Sequence, residues 1–243
     1  AAAEESQAEL AKKTNNPVAS LVSVPFQFDY DQNVGPARQG DKYQLTVKPV
    51  IPISISLDWN LISRTLLPVI NQDNVAPGSG NQFGTGDTTQ QFYFSPKEPS
   101  AGGWIWGVGP QLYLRTGRDN LSANKWGAGP DAVFLKQENG WTYGALATHT
   151  WSFSGTGQSN ISSTYVQPFL SFTTPHYTTY GINTESTYNW NTKQWSVPIN
   201  MTVTQLLKIG HQPLTLQAGA RYWADSPDAT GPKGWGLRFA INF

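Results

Sequence analysis

The chain has 243 residues, no cysteine, ten tryptophans and equal numbers of acidic and basic side chains. Without cysteine there is no disulfide framework, thiolate metal site or thiol nucleophile, and a formal net charge of zero offers no basic footprint for nucleic acid. Only 13% of residues are charged, against roughly 25% in soluble domains, and another 13% are aromatic.

The first stretch, 1–20, stands apart. Ala1-Ala2-Ala3-Glu4 reads as what cleavage at small residues leaves behind. Glu4 to Lys13 is charged and weakly helical, and Thr14-Asn15-Asn16-Pro17 breaks it. It is too short for a domain and is either a plug or a disordered tail.

From there to the end, segments of period two bounded by turn residues give twelve strands: 21–30, 43–56, 59–70, 89–95, 103–116, 126–136, 141–153, 163–173, 178–190, 194–206, 213–224 and 233–243. No apolar run approaches the ~20 residues of a membrane-spanning helix. All but 89–95 are close to the ~9–11 residues of a tilted membrane-spanning strand. Connections at 31–42, 71–88, 117–125 and 225–232 are long, whereas Leu57-Asp58, Gln137 to Gly140 and Thr174 to Tyr177 are tight. Long loops outside and short periplasmic turns are the habit of outer-membrane barrels. The pattern therefore predicts an all-β, antiparallel up-and-down transmembrane barrel over 21–243, with both termini and the segment 1–20 on the periplasmic side.

Tryptophan gives an independent check. Trp59, Trp104, Trp106 and Trp141 fall at one set of strand ends, and Trp126, Trp151, Trp190, Trp195, Trp223 and Trp235 at the other. Two aromatic girdles suit a membrane barrel, whereas a soluble β-sandwich would bury tryptophan at mid-strand.

The strand faces sort by polarity. Tyr43, Leu45, Val47, Pro49, Ile51, Ile53 and Ile55 share one face, as do Trp195, Val197, Ile199, Met201 and Val203, and Leu214, Leu216, Ala218, Ala220 and Tyr222. These are assigned to lipid. Charges on the lipid face cost ~2–4 kcal/mol at mid-depth, so Asp29, Lys48, Arg64, Arg115, Asp131, Glu185, Arg221 and Arg238 are assigned to the pore lining. The set describes a polar lumen that orients solutes, or an ion-pair network that satisfies itself.

Eight prolines, Pro25, Pro49, Pro52, Pro68, Pro110, Pro130, Pro168 and Pro198, lie inside these strands. Proline lacks a ladder donor and belongs at edges and bulges. The eight are read as kinks in the wall; the sharper alternative is a lateral gap toward the bilayer. Trp106-Gly107-Val108-Gly109-Pro110 and Trp126-Gly127-Ala128-Gly129-Pro130 repeat one pattern that puts paired glycines inside, with room for a loop or solute.

No enzyme or metal site emerges from the residues. One twelve-stranded outer-membrane phospholipase family places its His and Ser two apart on an outer strand face. Here the second residues after His149, His176 and His211 are Trp151, Thr178 and Pro213. No histidines share metal-ligand spacing, and no cofactor is implied.

The stretch from Leu10 to Leu21, then Val24-Pro25-Phe26-Gln27, Val50-Ile51-Pro52, Phe94-Ser95-Pro96, the two Gly-Pro blocks and Gln167-Pro168-Phe169 resemble a proteobacterial outer-membrane family labelled transporter-like and linked to the meta-pathway of phenol degradation. The resemblance implies a monomeric twelve-stranded channel and brings no binding-residue motif with it. The closing run Trp235, Leu237, Phe239, Ile241, Phe243 resembles the last strand of outer-membrane barrels, which the insertion machinery reads. The partners expected are outer-membrane lipid, that machinery and a small-molecule solute. The function expected is passive diffusion of small solutes through a mixed-charge lumen. The alternatives are a lateral-exit channel for small apolar molecules, or a barrel-borne lipid hydrolase or membrane anchor.

Overall fold

A computed structural model describes residues 7–157, 159–209 and 212–243; His211 lies outside them. Fifteen strands follow one short helix, α1 (Gln7–Thr14). They are β1 (Pro25–Val34), β2 (Gly40–Val47), β3 (Val50–Ser54), β4 (Trp59–Asp73), β5 (Asn81–Thr85), β6 (Thr88–Pro96), β7 (Trp104–Leu114) and β8 (Lys125–Glu138). After these come β9 (Trp141–Gly155), β10 (Ser162–Thr173), β11 (Thr178–Thr184), β12 (Ser186–Asn189), β13 (Gln194–Ile209), β14 (Gln212–Asp225) and β15 (Gly234–Asn242).

Three staves are interrupted, so β2 with β3, β5 with β6, and β11 with β12 each count once, and the described strands form a closed antiparallel barrel of twelve staves. The ring closes where β1 pairs with β15, Pro25 against Asn242 and Asp29 against Arg238. The start of β1 and the end of β15 therefore meet at one rim. Closure pairs the first strand with the last and so removes the open sheet edges that hydrocarbon does not tolerate.

The turns follow local chemistry. Asn139 and Gly140 hold positive φ of 51° and 83°, the primed turn that matches strand twist between β8 and β9. The expected short fourth strand is instead a long stave, because 81–85 pair with β4 as β5. The expected loop 31–42 shrinks likewise: β1 runs to Val34 and β2 starts at Gly40.

The outer surface is apolar. Phe28, Ile51, Ile53, Met201, Val203, Leu216, Leu237 and Phe239 are exposed, a belt that only lipid can cover. Two residues depart from the expected lipid faces: Leu214 is buried, and Pro49 lies in the break between β2 and β3. Eight of the ten tryptophans are exposed at strand ends. Trp223 departs from the expected girdle. It faces inward, its indole nitrogen donating to Asp31 at 2.7 Å, with the Arg221 guanidinium 4.8 Å from its ring.

The barrel's apolar core lies inside the ring, toward the rim of the chain ends. Ile62, Tyr93, Val133, Leu135 and Leu146 are buried there, and Val18 completes the cluster. The N-terminal segment thus folds against the inner wall. Gln137 donates to the Lys12 carbonyl at 2.9 Å, Asn15 reaches Thr173 and Thr179 at 3.4 Å, and Asn60 donates to Ser20 at 2.7 Å. Thr14 and Asn15 side chains cap the Ala11 carbonyl, and Lys12 and Lys13 complement the helix C-terminus.

The prolines coincide with missing ladder pairs. Pro110 and Pro130 face each other across β7 and β8 on the outer surface. Two pairs are absent between Gln91–Gln111 and Phe94–Val108, and two between Ala128–Trp151 and Asp131–Thr148, with register unchanged. A Cβ on Gly109 would lie 1.9 Å from the Phe92 oxygen, and one on Gly129 1.6 Å from the His149 oxygen. The neighbouring carbonyl thus closes over the glycine where proline offers no N–H, so the Gly-Pro blocks keep the wall narrow at these points.

The other prolines vary in kind. Pro25 opens β1, Pro49 fills the β2–β3 break, and Pro52 sits in β3 opposite Ile62. Pro68 faces the interruption at Gly86, whose amide donates to its carbonyl, and a register shift falls at Pro198. Pro168 and Pro198 flank one position. Glu185, between β11 and β12, pairs with neither β10 nor β13.

Candidate functional site: the charged lumen

The alternation that sends apolar side chains outward brings polar ones into a central cavity of 1020 Å³. Asp29, Lys48, Arg64, Glu185, Arg221 and Arg238 line it, as six of the eight assigned charges should. Arg115 does not. β7 ends at Leu114, and the Arg115 side chain is exposed in the following loop, held by Asn124 at 2.9 Å. Asp131 points inward but lies buried beside Tyr93 and Gln91, away from the open cavity.

Three further charges line the cavity, Asp31, Lys42 and Asp87. Each shares the parity of inward neighbours, Asp31 with Asp29, Lys42 with Lys48 and Asp87 with Thr89 and Gln91. The signal is present in the alternation, but the bounds of the expected loops 31–42 and 71–88 exclude them.

Arg238 organises one arc of the lumen. Its Nε donates to Asp29 Oδ1 at 2.7 Å, and its Nη1 and Nη2 grip the two oxygens of Glu185 at 2.9 and 2.8 Å. This fork links β15, β1 and the break between β11 and β12. Arg221 adds contacts to Asp29 at 3.3 Å and Asp31 at 3.5 Å. Gln27 bridges Asp29 to Lys48, with both hydrogen bonds 2.7 Å long. Charges removed from bulk water need such partners, and bidentate arginine–carboxylate geometry supplies them.

The facing arc, beyond Arg64, is built of amides and hydroxyls. Arg64 donates to Gln91 at 3.3 Å, Gln91 to Gln111 at 3.0 Å, and Gln111 to Thr150 at 2.7 Å. Lys48 and Arg64 thus lean on amide oxygens, not on carboxylates. At the rim far from the chain ends, Asp87 gathers Tyr113, Gly117, Ser122 and Ala123 at 2.7 to 3.0 Å and pins the loop after β7.

The two described histidines, His149 and His176, form no hydrogen-bonded serine–histidine pair among the described residues. His149 Nδ1 lies 2.7 Å from the Thr164 hydroxyl on the outer face, but that hydroxyl also accepts from Trp190. His149 Nε2 has no partner, so no third group orients the ring. His176 sits in the turn before β11, its carbonyl accepting from Gln205. No cluster of three or more metal-ligating side chains occurs among the described residues.

Comparison with known proteins gives a family and a fold. A family described as "Putative MetA-pathway of phenol degradation" matches residues 25–226. Among solved structures, an outer-membrane channel from Pseudomonas putida F1 aligns at a TM-score of 0.68 and 16% identity, covering 90% of this chain and 92% of that one. Outer-membrane phospholipase A from Escherichia coli aligns at 0.53 and 12% identity over 90% and 92% of the two chains. The Salmonella typhi phospholipase, a dimer with bound calcium, aligns at 0.54 and 10% identity over 98% of each. These likenesses show the fold, that of bacterial outer-membrane barrels. Comparison with curated proteins gave no match.

Proposed function

This chain belongs to the family described as "Putative MetA-pathway of phenol degradation", and on that premise we propose that it is an outer-membrane channel for passive diffusion of small solutes. The observation that carries the reading is the cavity of 1020 Å³ inside a closed ring, whose lining sets charged, amide and hydroxyl side chains beside apolar ones such as Leu66, Leu146 and Leu206. Such a lining supports water and polar solutes and is wasted on an anchor. On this reading both termini face the periplasm, where the tight turns lie, and residues 7–20 narrow the periplasmic mouth. Asp29, Glu185, Arg221 and Arg238 set the shape of the lumen, and Lys48 and Arg64 add positive charge held by amide oxygens. The chain acts as a monomer, and the insertion machinery reads its closing strand.

Planar-bilayer recording of the purified full chain tests the proposal. Discrete conductance steps are expected, smaller when Gln44, a cavity-lining residue, is replaced as Gln44→Trp. Absence of conductance at every voltage sinks it, and hydrolysis of a fatty ester by the pure protein would put a barrel-borne lipase in its place.

A second reading, lateral exit of small apolar molecules, draws on one place in the wall. At Glu185 the ladder is broken on both sides, and the flanking Pro168 and Pro198 have no N–H to offer. The Glu185–Arg238 fork lies across that break. Uptake of an apolar solute that rises in Glu185→Ala, with ion conductance unchanged, would favour the lateral route.

A further inference from the structure

A second, smaller cavity of 200 Å³ lies between the N-terminal segment and the wall, bounded by Thr14 to Pro17 on one side and Pro25, Val50 and Asn242 on the other. It shares Thr14, Asn15, Pro25, Lys48, Arg64 and Asn242 with the main cavity, so the two are contiguous. Beside it Val18 packs into the apolar cluster of Ile62, Tyr93, Val133, Leu135 and Leu146.

Lys13, Lys48 and Arg64 line this cleft, and no carboxylate among the described residues does. In the main cavity Arg221 and Arg238 are matched by Asp29, Asp31 and Glu185 within 3.5 Å. Among the described residues no carboxylate forms a direct ion pair with Lys48 or Arg64; the side-chain oxygens of Gln27 and Gln91 accept from them instead. A low-dielectric wall around a narrow passage strengthens the field of such charges and concentrates counter-ions there.

We propose that this cleft is the selectivity filter of the channel and that it passes small monovalent anions, carboxylates among them, in preference to cations. The inference deepens the channel reading and rests on it. Lys48 and Arg64 are its specificity-determining residues.

The test is the reversal potential of the full chain in a planar bilayer under a potassium chloride gradient. The sign expected is that of chloride preference. In Lys48→Gln/Arg64→Gln the reversal potential should fall toward zero, and in Lys48→Glu/Arg64→Glu it should change sign. Retention of heat-modifiable mobility on gels shows that each variant still forms the barrel. Liposome swelling in sodium acetate should slow several-fold in the Glu variant, while swelling in glycerol stays near the original rate. Conductance with potassium preference overturns the filter and leaves the channel intact, as does a reversal potential that either double variant leaves unchanged. No conductance in any form overturns the channel reading and the filter together.

Discussion

A methyl carbon of Val18, Cγ1, lies 3.3 Å from where a Cβ on Gly107 would stand. The first of the two Gly-Pro blocks therefore does two things at once. Gly109 accepts the close approach of a neighbouring strand, and Gly107 makes space on the inner face for the N-terminal segment. Burying a valine side chain contributes about 1.5–3 kcal/mol, enough to hold a short segment against the wall but not to lock it.

That balance gives the first prediction. Val18→Asp places a charge among Ile62, Tyr93, Val133 and Leu135 and should release the segment. Tryptic cleavage after Lys12 and Lys13 is expected to speed up at least tenfold, given ~1.4 kcal/mol per factor of ten. Timed digestion of the detergent-solubilised protein checks it; an unchanged rate would show that the segment is held by its polar contacts to Asn60, Gln137 and Thr179 instead.

The arginine fork gives a second. Arg238→Gln leaves Asp29 and Glu185 buried without their main partner, and loss of one member of a buried pair costs about 3–5 kcal/mol in a dry interior. A lumen that admits water should soften this to about 2–3 kcal/mol. Adding Glu185→Gln should recover part of the loss. Urea unfolding in lipid vesicles reads both, and additive losses in the double variant would mean that the two residues are not coupled.

The Gly-Pro blocks give a third. Gly129→Ala would set a methyl group 1.6 Å from the His149 oxygen, in backbone that has no freedom to move aside. The wall should fail to close, seen as loss of heat-modifiable mobility. Gly102→Ala, whose Cβ would stand 3.4 Å from the Trp104 ring, should assemble normally.

Tryptophan placement gives a fourth. Quenching by acyl chains brominated near the ester should reach Trp141 and Trp195 but not Trp223. Trp223→Phe should leave the lipid-quenched signal unchanged and reduce quenching by aqueous acrylamide; the opposite result would return Trp223 to the outer girdle.

Much of this architecture was legible because the side-chain period of two is written directly in the residues. The alternation of Trp235 to Phe243 against Gly236 to Asn242 placed Arg238 inside without reference to any other strand. What the alternation does not carry is where a ladder stops. Arg115 obeys the inward parity of β7 but lies one residue past its end, and Asp31 and Lys42 were set aside as loop although they sit within strands. The apolar plug bed was also hidden. Ala132-Val133-Phe134-Leu135 reads as a continuous apolar run, greasy on both faces, and only the folded N-terminal segment explains why the inner face of a lumen wall carries Val133 and Leu135. Nor does a sequence show partners in space: Glu185 and Arg238 are 53 positions apart and meet only because the ring closes.

The amide of Val24 donates to the carbonyl of Phe243 at 3.1 Å, just where the N-terminal segment turns inward. The point at which the chain enters the lumen is thus also the seam at which the wall is sewn shut. Order of assembly follows from that placement. Either the segment is already seated when β15 reaches β1, and is captured as cargo, or it must thread a finished ring through an opening that its own entry point helps to seal. The first route makes docking of Val18 an early event and ring closure the late, slow one.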